Sequence, residues 1–213
     1  MKYFVIISLL LLLSAGCSGE KTDSTPQKMG KNQLVQEAAD KLTGMFMQDL
    51  KSELMAAMKD GGPANAIAVC NVRAPEIADA HSESGVWSIK RVTDRPRNLE
   101  NMADDHELGV MNKFRDTTNR VEAGYGEWQV SESRDTSFVY YKPIRTGDLC
   151  LNCHGPKEQI DQPVREQLAE LYPEDEAVGY TGGDLRGMFV VTMEWPAARS
   201  EARELVLPAE EAE

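Results

Sequence analysis

Cys150-Leu151-Asn152-Cys153-His154 is the segment that most restricts what this 213-residue chain can become. Two thiols separated by two residues, followed at once by an imidazole, form the attachment signature of c-type haem. Both thiols can add across the vinyl groups of one porphyrin, and the adjacent histidine then lies under the iron as an axial ligand. The fold must therefore bring a porphyrin edge to Cys150 and Cys153 and iron to His154. The signature occurs once, so one covalent haem c is expected. The competing readings are half of a zinc site and a redox CxxC. Zinc needs a second ligand pair, and Cys70, His81 and His106 offer no paired spacing. A thioredoxin-like motif opens a helix after a strand, and Gly155-Pro156 argues against a helix here.

The N-terminus supplies the compartment that haem attachment needs. Met1-Lys2, the apolar run from Tyr3 to Leu13 and the small residues Ser14-Ala15-Gly16 make a secretory signal peptide, residues 1–16. The apolar run falls short of the ~20 residues that span a bilayer. Leu13-Ser14-Ala15-Gly16-Cys17 resembles a looser form of the bacterial lipobox, in which Cys17 becomes the first mature residue and carries lipid. The alternative is an ordinary cleaved signal peptide with Cys17 incidental. Ser18 leans the expected anchor toward the outer membrane, with the protein in the periplasm. Residues 17–31 read as the lipidated cysteine and a flexible polar tether.

Charge excludes two partner classes. Asp and Glu number 35 against 23 Lys and Arg, a formal charge of −12 that becomes −13 when cleavage removes Lys2. A nucleic-acid binder needs a basic face, and charge-driven attachment to anionic lipid needs one too. At 41% hydrophobic and 27% charged residues the composition is otherwise that of a globular protein.

Periodicity predicts helices first and a sheet after them. Leu34, Ala38, Leu42, Met45, Phe46, Leu50, Leu54 and Met58 form an amphipathic stripe over 32–59. Asp60-Gly61-Gly62 stops it and Pro63 can open a second helix. That helix presents Ile67, Cys70, Ala74, Ile77 and His81 on one face, with a kink or break at Pro75. Strands are expected at 86–93, 127–133, 136–144 and 187–195, the middle pair as a hairpin about Arg134-Asp135. Helices are expected at 103–123 and near 163–171. Residues 32–200 thus form one α+β domain with helices at the front and an antiparallel sheet behind them. Residues 201–213, with five Glu and one Arg, read as an acidic disordered tail.

The sixth iron ligand is not given by the signature. Cys70 has no obvious disulfide partner once Cys17, Cys150 and Cys153 are accounted for. It reads either as a small buried apolar side chain or as a thiolate facing the iron. Its surroundings, Ala66-Ile67-Ala68-Val69-Cys70, together with Arg97-Asn98, Asn101, Tyr141-Lys142-Pro143-Ile144, the haem signature through Gly155 and Gly182-Gly183-Asp184-Leu185-Arg186-Gly187, resemble a known family. These are the PAS-like c-type haem domains of cyanobacterial type with cysteine/histidine axial ligation. Leu99 departs from the family, which often has Pro after the Arg-Asn pair. The resemblance implies Cys70 as distal ligand, His154 as proximal ligand and a PAS-like antiparallel sheet packed against N-terminal helices.

Lys90, Arg91, Arg95 and Arg97 cluster in an acidic chain. Arg97 first and Arg91 second are candidates to neutralise haem propionates, with Arg145 a third; a solvated surface is the alternative. Two functions follow: a redox-responsive or haem sensor signalling to an unidentified partner protein, or a low-potential electron carrier steered by its acidic surface. No nucleophile–base arrangement is apparent, so an enzyme is not expected; His81 and His106 read as surface or capping residues.

Overall fold

The computed structural model describes residues 29–116 and 123–207. Helix α1 runs over Lys31–Ala68 but bends at Gly61 (φ −139°, ψ 15°) and Gly62 (φ 74°, ψ −172°). Only glycine adopts the second conformation at no cost, and Pro63 then begins the next helical segment. The expected stop is therefore a hinge between two segments of one rod. A π-helical turn, Val69–Arg73, follows and passes directly into α2 (Ala74–Ala80). There the N–H of Ala74 reaches back to the Val69 carbonyl. Widening of this turn replaces the break expected at Pro75, which has no N–H to offer and sits in the first turn of α2.

Strands β1 (Trp87–Val92), β2 (Tyr125–Val130), β3 (Thr136–Arg145) and β4 (Leu185–Trp195) form one antiparallel sheet in the order β1-β4-β3-β2. Alternation sorts their side chains onto two faces. Ile89, Phe138, Tyr140, Phe189, Val191 and Met193 pack with Leu42 and Phe46 of α1 and with Ala202 of the last helix, α6 (Arg199–Val206). Val92, Val139, Tyr141, Met188 and Val190 pack with Val110, Met111 and Phe114 of α3 (Asp105–Arg115) on the other face. Asp104 caps α3: its carboxylate accepts the Glu107 N–H at 2.8 Å, and Glu107 accepts the Asp104 N–H at 3.0 Å. Two further helices, α4 (Asp148–His154) and α5 (Gln162–Leu171), lie between β3 and β4 in the chain. The result is the expected α+β, PAS-like architecture with N-terminal helices on the sheet.

Four expectations change. Helix α3 ends at Arg115, and the remainder expected to 123 largely lies outside the described residues. The boundary drawn at residue 200 moves, because 201–206 belong to α6 and bury Ala202 completely against α1; residues 208–213 lie outside the description. Met45 leaves the apolar stripe and is 44% exposed. A helix does carry the haem signature, and Gly155 ends it rather than preventing it. No described helix is long and apolar enough to cross a membrane. The signal peptide, Cys17 and most of the tether lie outside the described residues.

Candidate functional site

Two residues, Thr146 and Gly147, separate helix α4 from β3, whose last pair carries a register shift between Ile144 and Arg145. Cys150, Cys153 and His154 stand at i, i+3 and i+4, so one face of this short helix carries all three. They open on one cavity of about 460 Å³. That is the size of a pocket for a small molecule or cofactor. Its far wall is α1, through Met47, Leu50, Leu54 and Met58, and its floor includes Phe189 and Ile144 of the sheet. The sequence stripe on α1 thus has two uses: its first half, to Phe46, closes against the sheet, and its second half faces the cavity. Ile67 joins Ile160, Val164, Leu168 and Tyr172 of the α5 region to close one end.

His154 is held from behind. Its Nδ1 lies 2.7 Å from the Ala177 carbonyl. An Nδ1–H donating there leaves Nε2 as the ring's lone-pair nitrogen, the tautomer a metal-ligating histidine needs. Burial, with the charges of Arg97 and Arg186, holds the imidazole well below its ordinary pKa despite the Ala177 bond, so the ring is neutral. The Ala177 segment is itself pinned. Asp175 accepts the Ala177 N–H at 2.8 Å and pairs with Arg97 at 3.0 Å. Arg97 also donates to the Cys153 carbonyl at 2.5 Å. The Tyr180 N–H donates to the His154 carbonyl at 2.9 Å, and the Tyr180 ring meets the imidazole edge-on at 6.3 Å.

The basic cluster separates on folding. Lys90 turns away to Glu107 at 2.8 Å. Arg95 lies over the Tyr180 ring at 4.5 Å and bonds the Val178 carbonyl. Arg91 and Arg97 do line the cavity, as does Arg145, whose guanidinium donates to the Phe114 carbonyl at 2.8 Å. Arg97 is 8% exposed and its charge is already met by Asp175; Arg91 is half-buried beside the Phe46 ring. Cys70 is the second residue of the π-helical turn, three beyond Ile67, the last residue of α1 on the cavity wall, and its side chain is not among those described.

His81 and His106 are elsewhere. His81 bonds Asp49 at 2.9 Å and His106 bonds Glu127 at 2.6 Å. Among the described residues no three His, Cys, Asp or Glu side chains converge as a metal site, so the zinc alternative finds no ligand set there. A second depression, about 540 Å³, lies beside the end of α3 and contains none of the signature residues.

Three functional positions carry no role in the sequence reading: Asp175, Ala177 and Arg186. Ala177 acts through its carbonyl, which no sequence pattern marks. Arg186 does leave a signal, a cation beside the apolar run Gly187–Val191 at the start of the strand Leu185–Trp195.

The donor set fits a haem. Two thiols, present as such rather than as a disulfide, and a neutral imidazole share one helix face beside an apolar cavity. Arginines lie on the same wall.

Among solved structures, the crystal structure of the cyanobacterial haem protein Tll0287 superposes with a TM-score of 0.52 at 23% identity, covering 72% of this chain and 92% of that one. At that identity the likeness speaks for the fold. A comparison with curated protein sequences returned no match. The model of the Tll0287-like family matches residues 21–194, which take in α1 to α5, the sheet up to Glu194 and the whole cavity just described, and the chain belongs to that family.

Proposed function

We propose that this chain is an exported, membrane-tethered monohaem c-type protein whose iron responds to redox state or to a small gaseous ligand by changing its axial ligation. Cys150 and Cys153 attach the haem, His154 is the proximal ligand, Cys70 the distal one, and lipid on Cys17 holds the protein at the membrane. One observation carries this reading: the half of the α1 stripe that does not close on the sheet lines the cavity onto which the CxxCH face opens. Membership of the Tll0287-like family, and a structural relative that is itself a haem protein, support it.

Bound in this cavity, a haem supplies a one-electron couple and an axial position that can exchange. The chain does the rest. The Ala177 carbonyl keeps Nε2 of His154 available to iron. Arg91 and Arg97, both on the cavity wall, take the propionate role, Arg97 with part of its charge already met by Asp175. Helix α1 and Phe189 exclude water from the porphyrin face. A thiolate from Cys70 donates electron density and favours ferric iron. Cys70 sits on the π turn that joins α1 to α2, and the hinge at Gly61-Gly62 lies eight residues before it, so a change at Cys70 would be passed to both helices.

The acidic charge of −12 favours a second reading, a low-potential electron carrier. An optical redox titration with and without CO separates the two. A sensor loses Cys70 on reduction or binds CO; a carrier keeps both ligands and refuses CO. In Cys70→Ala the oxidised low-spin spectrum loses its thiolate character while the haem stays covalently attached. An unchanged spectrum in that variant overturns the ligand assignment.

A further inference from the structure

We infer that Arg186 sets how readily the iron held by His154 is reduced, by keeping against the Nδ1 side of the proximal imidazole a positive charge that Asp175, engaged with Arg97, offsets only from a distance. The inference rests on the haem reading above. Arg186 is partly buried on the cavity wall, in a strand that is otherwise apolar up to Met193 apart from Thr192. Its Nε lies 3.3 Å from Nδ1 of His154. Its Nη1 donates to Thr93 Oγ1 at 3.1 Å and to the Arg95 carbonyl at 3.3 Å, and its guanidinium sits 5.5 Å from the Tyr180 ring. None of these partners is a carboxylate, whereas its neighbour Arg97 has Asp175.

Nδ1 cannot serve two hydrogen bonds of opposite sense. With a proton it donates to Ala177, the nearer partner at 2.7 Å, and the Arg186 N–H then faces another N–H. The remaining interaction is that of a desolvated cation with the ring. Burial pulls the Arg186 guanidinium below its ordinary pKa, but arginine begins so far above neutrality that it stays charged.

Two effects then share one sign. Ferric iron takes one electron from an outer-sphere one-electron donor, no proton moves, and the charge of the site falls by one. A fixed cation nearby favours that lower charge. The same cation opposes imidazolate character in His154, weakening the donor that stabilises ferric iron. Arg186 thus counters the Cys70 thiolate and raises the potential that the thiolate lowers.

The test compares haem-loaded wild type with Arg186→Met and Arg186→Lys, reading the midpoint by optical titration and the ferric state by electron paramagnetic resonance. Removal of the charge lowers the midpoint. At the wild-type midpoint the ferric-to-ferrous ratio rises about tenfold, which is 59 mV for a one-electron couple. The g-values move with it because the effect passes through His154, and Lys restores most of both. Arg186→Gln, which keeps a donor toward Thr93, gives the same reading where Met does not fold. An unchanged or raised midpoint in haem-loaded Met or Gln variants overturns the inference. So does a lowered midpoint with unmoved g-values, which would put the charge on the propionates instead. Wild-type protein that takes up no haem fails the parent reading and is a different result.

Discussion

Asp175 illustrates how much of the haem site is built by residues that never face the cofactor. Its carboxylate is 11% exposed and pairs with Arg97 at 7% exposure, while its other oxygen holds the Ala177 N–H. Breaking a buried pair by deleting one partner leaves a charge without compensation, at a cost of about 3 kcal/mol. Asp175→Ala should lower the unfolding free energy by about that amount in urea titration. It should also loosen His154, because Ala177 is the carbonyl that orients the ring. A loss under about 1 kcal/mol would mean that Arg97 finds another anion. The contrast with the signature residues is physical. Thiols and an imidazole act through their own atoms, so Cys150, Cys153 and His154 are legible as chemistry. Ala177 acts through its main chain and Asp175 through a loop closed over 78 residues from Arg97, and nothing in a one-dimensional pattern marks either. Arg91 and Arg97 are legible as a cluster, but only folding shows that Lys90 and Arg95 leave it.

Helix α1 shows the same division among elements. Its apolar period predicts the helix, and Asp60-Gly61-Gly62 predicts a stop that the fold turns into a hinge. Periodicity treats Leu34 and Leu54 alike, yet the first is core and the second lines the cavity. Both uses want the same side chains, so only the third dimension separates them. The π turn at 69–73 is hidden for another reason: a widened turn shifts the phase of everything beyond it, and a fixed spacing of three and four cannot show it. Helix α4 is hard to see in sequence because Gly155-Pro156 looks like a barrier to a helix when it is the end of one. Helix α1 is docked on the sheet through Asp40, whose Oδ1 accepts from Tyr140 at 2.7 Å and from Lys142 at 2.6 Å. Burial works to raise the Asp40 pKa, and these two partners more than offset it, holding the carboxyl below its ordinary value. A depressed folded pKa gives stability that is present above the unfolded value, near 3.9, and lost as pH falls through the folded one. Asp40 is half exposed, so the effect is small, under about 1 kcal/mol. Asp40→Asn should therefore destabilise the protein at neutral pH and converge with wild type as acid takes the pH through the depressed folded value. Denaturation curves that stay parallel into acid would contradict this role.

For the whole molecule, the proposed function divides the four cysteines among three tasks: Cys17 toward lipid, Cys150 and Cys153 toward porphyrin, Cys70 toward iron. The α+β frame serves that division. The sheet and α3 close one core, while the opposite face is closed only as far as Phe46 and leaves the rest of α1 to cover a cofactor. In a chain of formal charge −12, the cavity is lined by Lys51, Arg91, Arg97, Arg145 and Arg186 against the single carboxylate of Asp148, a balance that suits anionic propionates. The central claim is that one haem is covalently bound by the CxxCH face of α4. Intact mass of the denatured protein, matured in cells with haem c attachment machinery, tests it most directly. Wild type should carry the added mass of one haem that survives denaturation, and Cys150→Ala with Cys153→Ala should carry none. An unmodified wild-type mass from such cells would contradict the account.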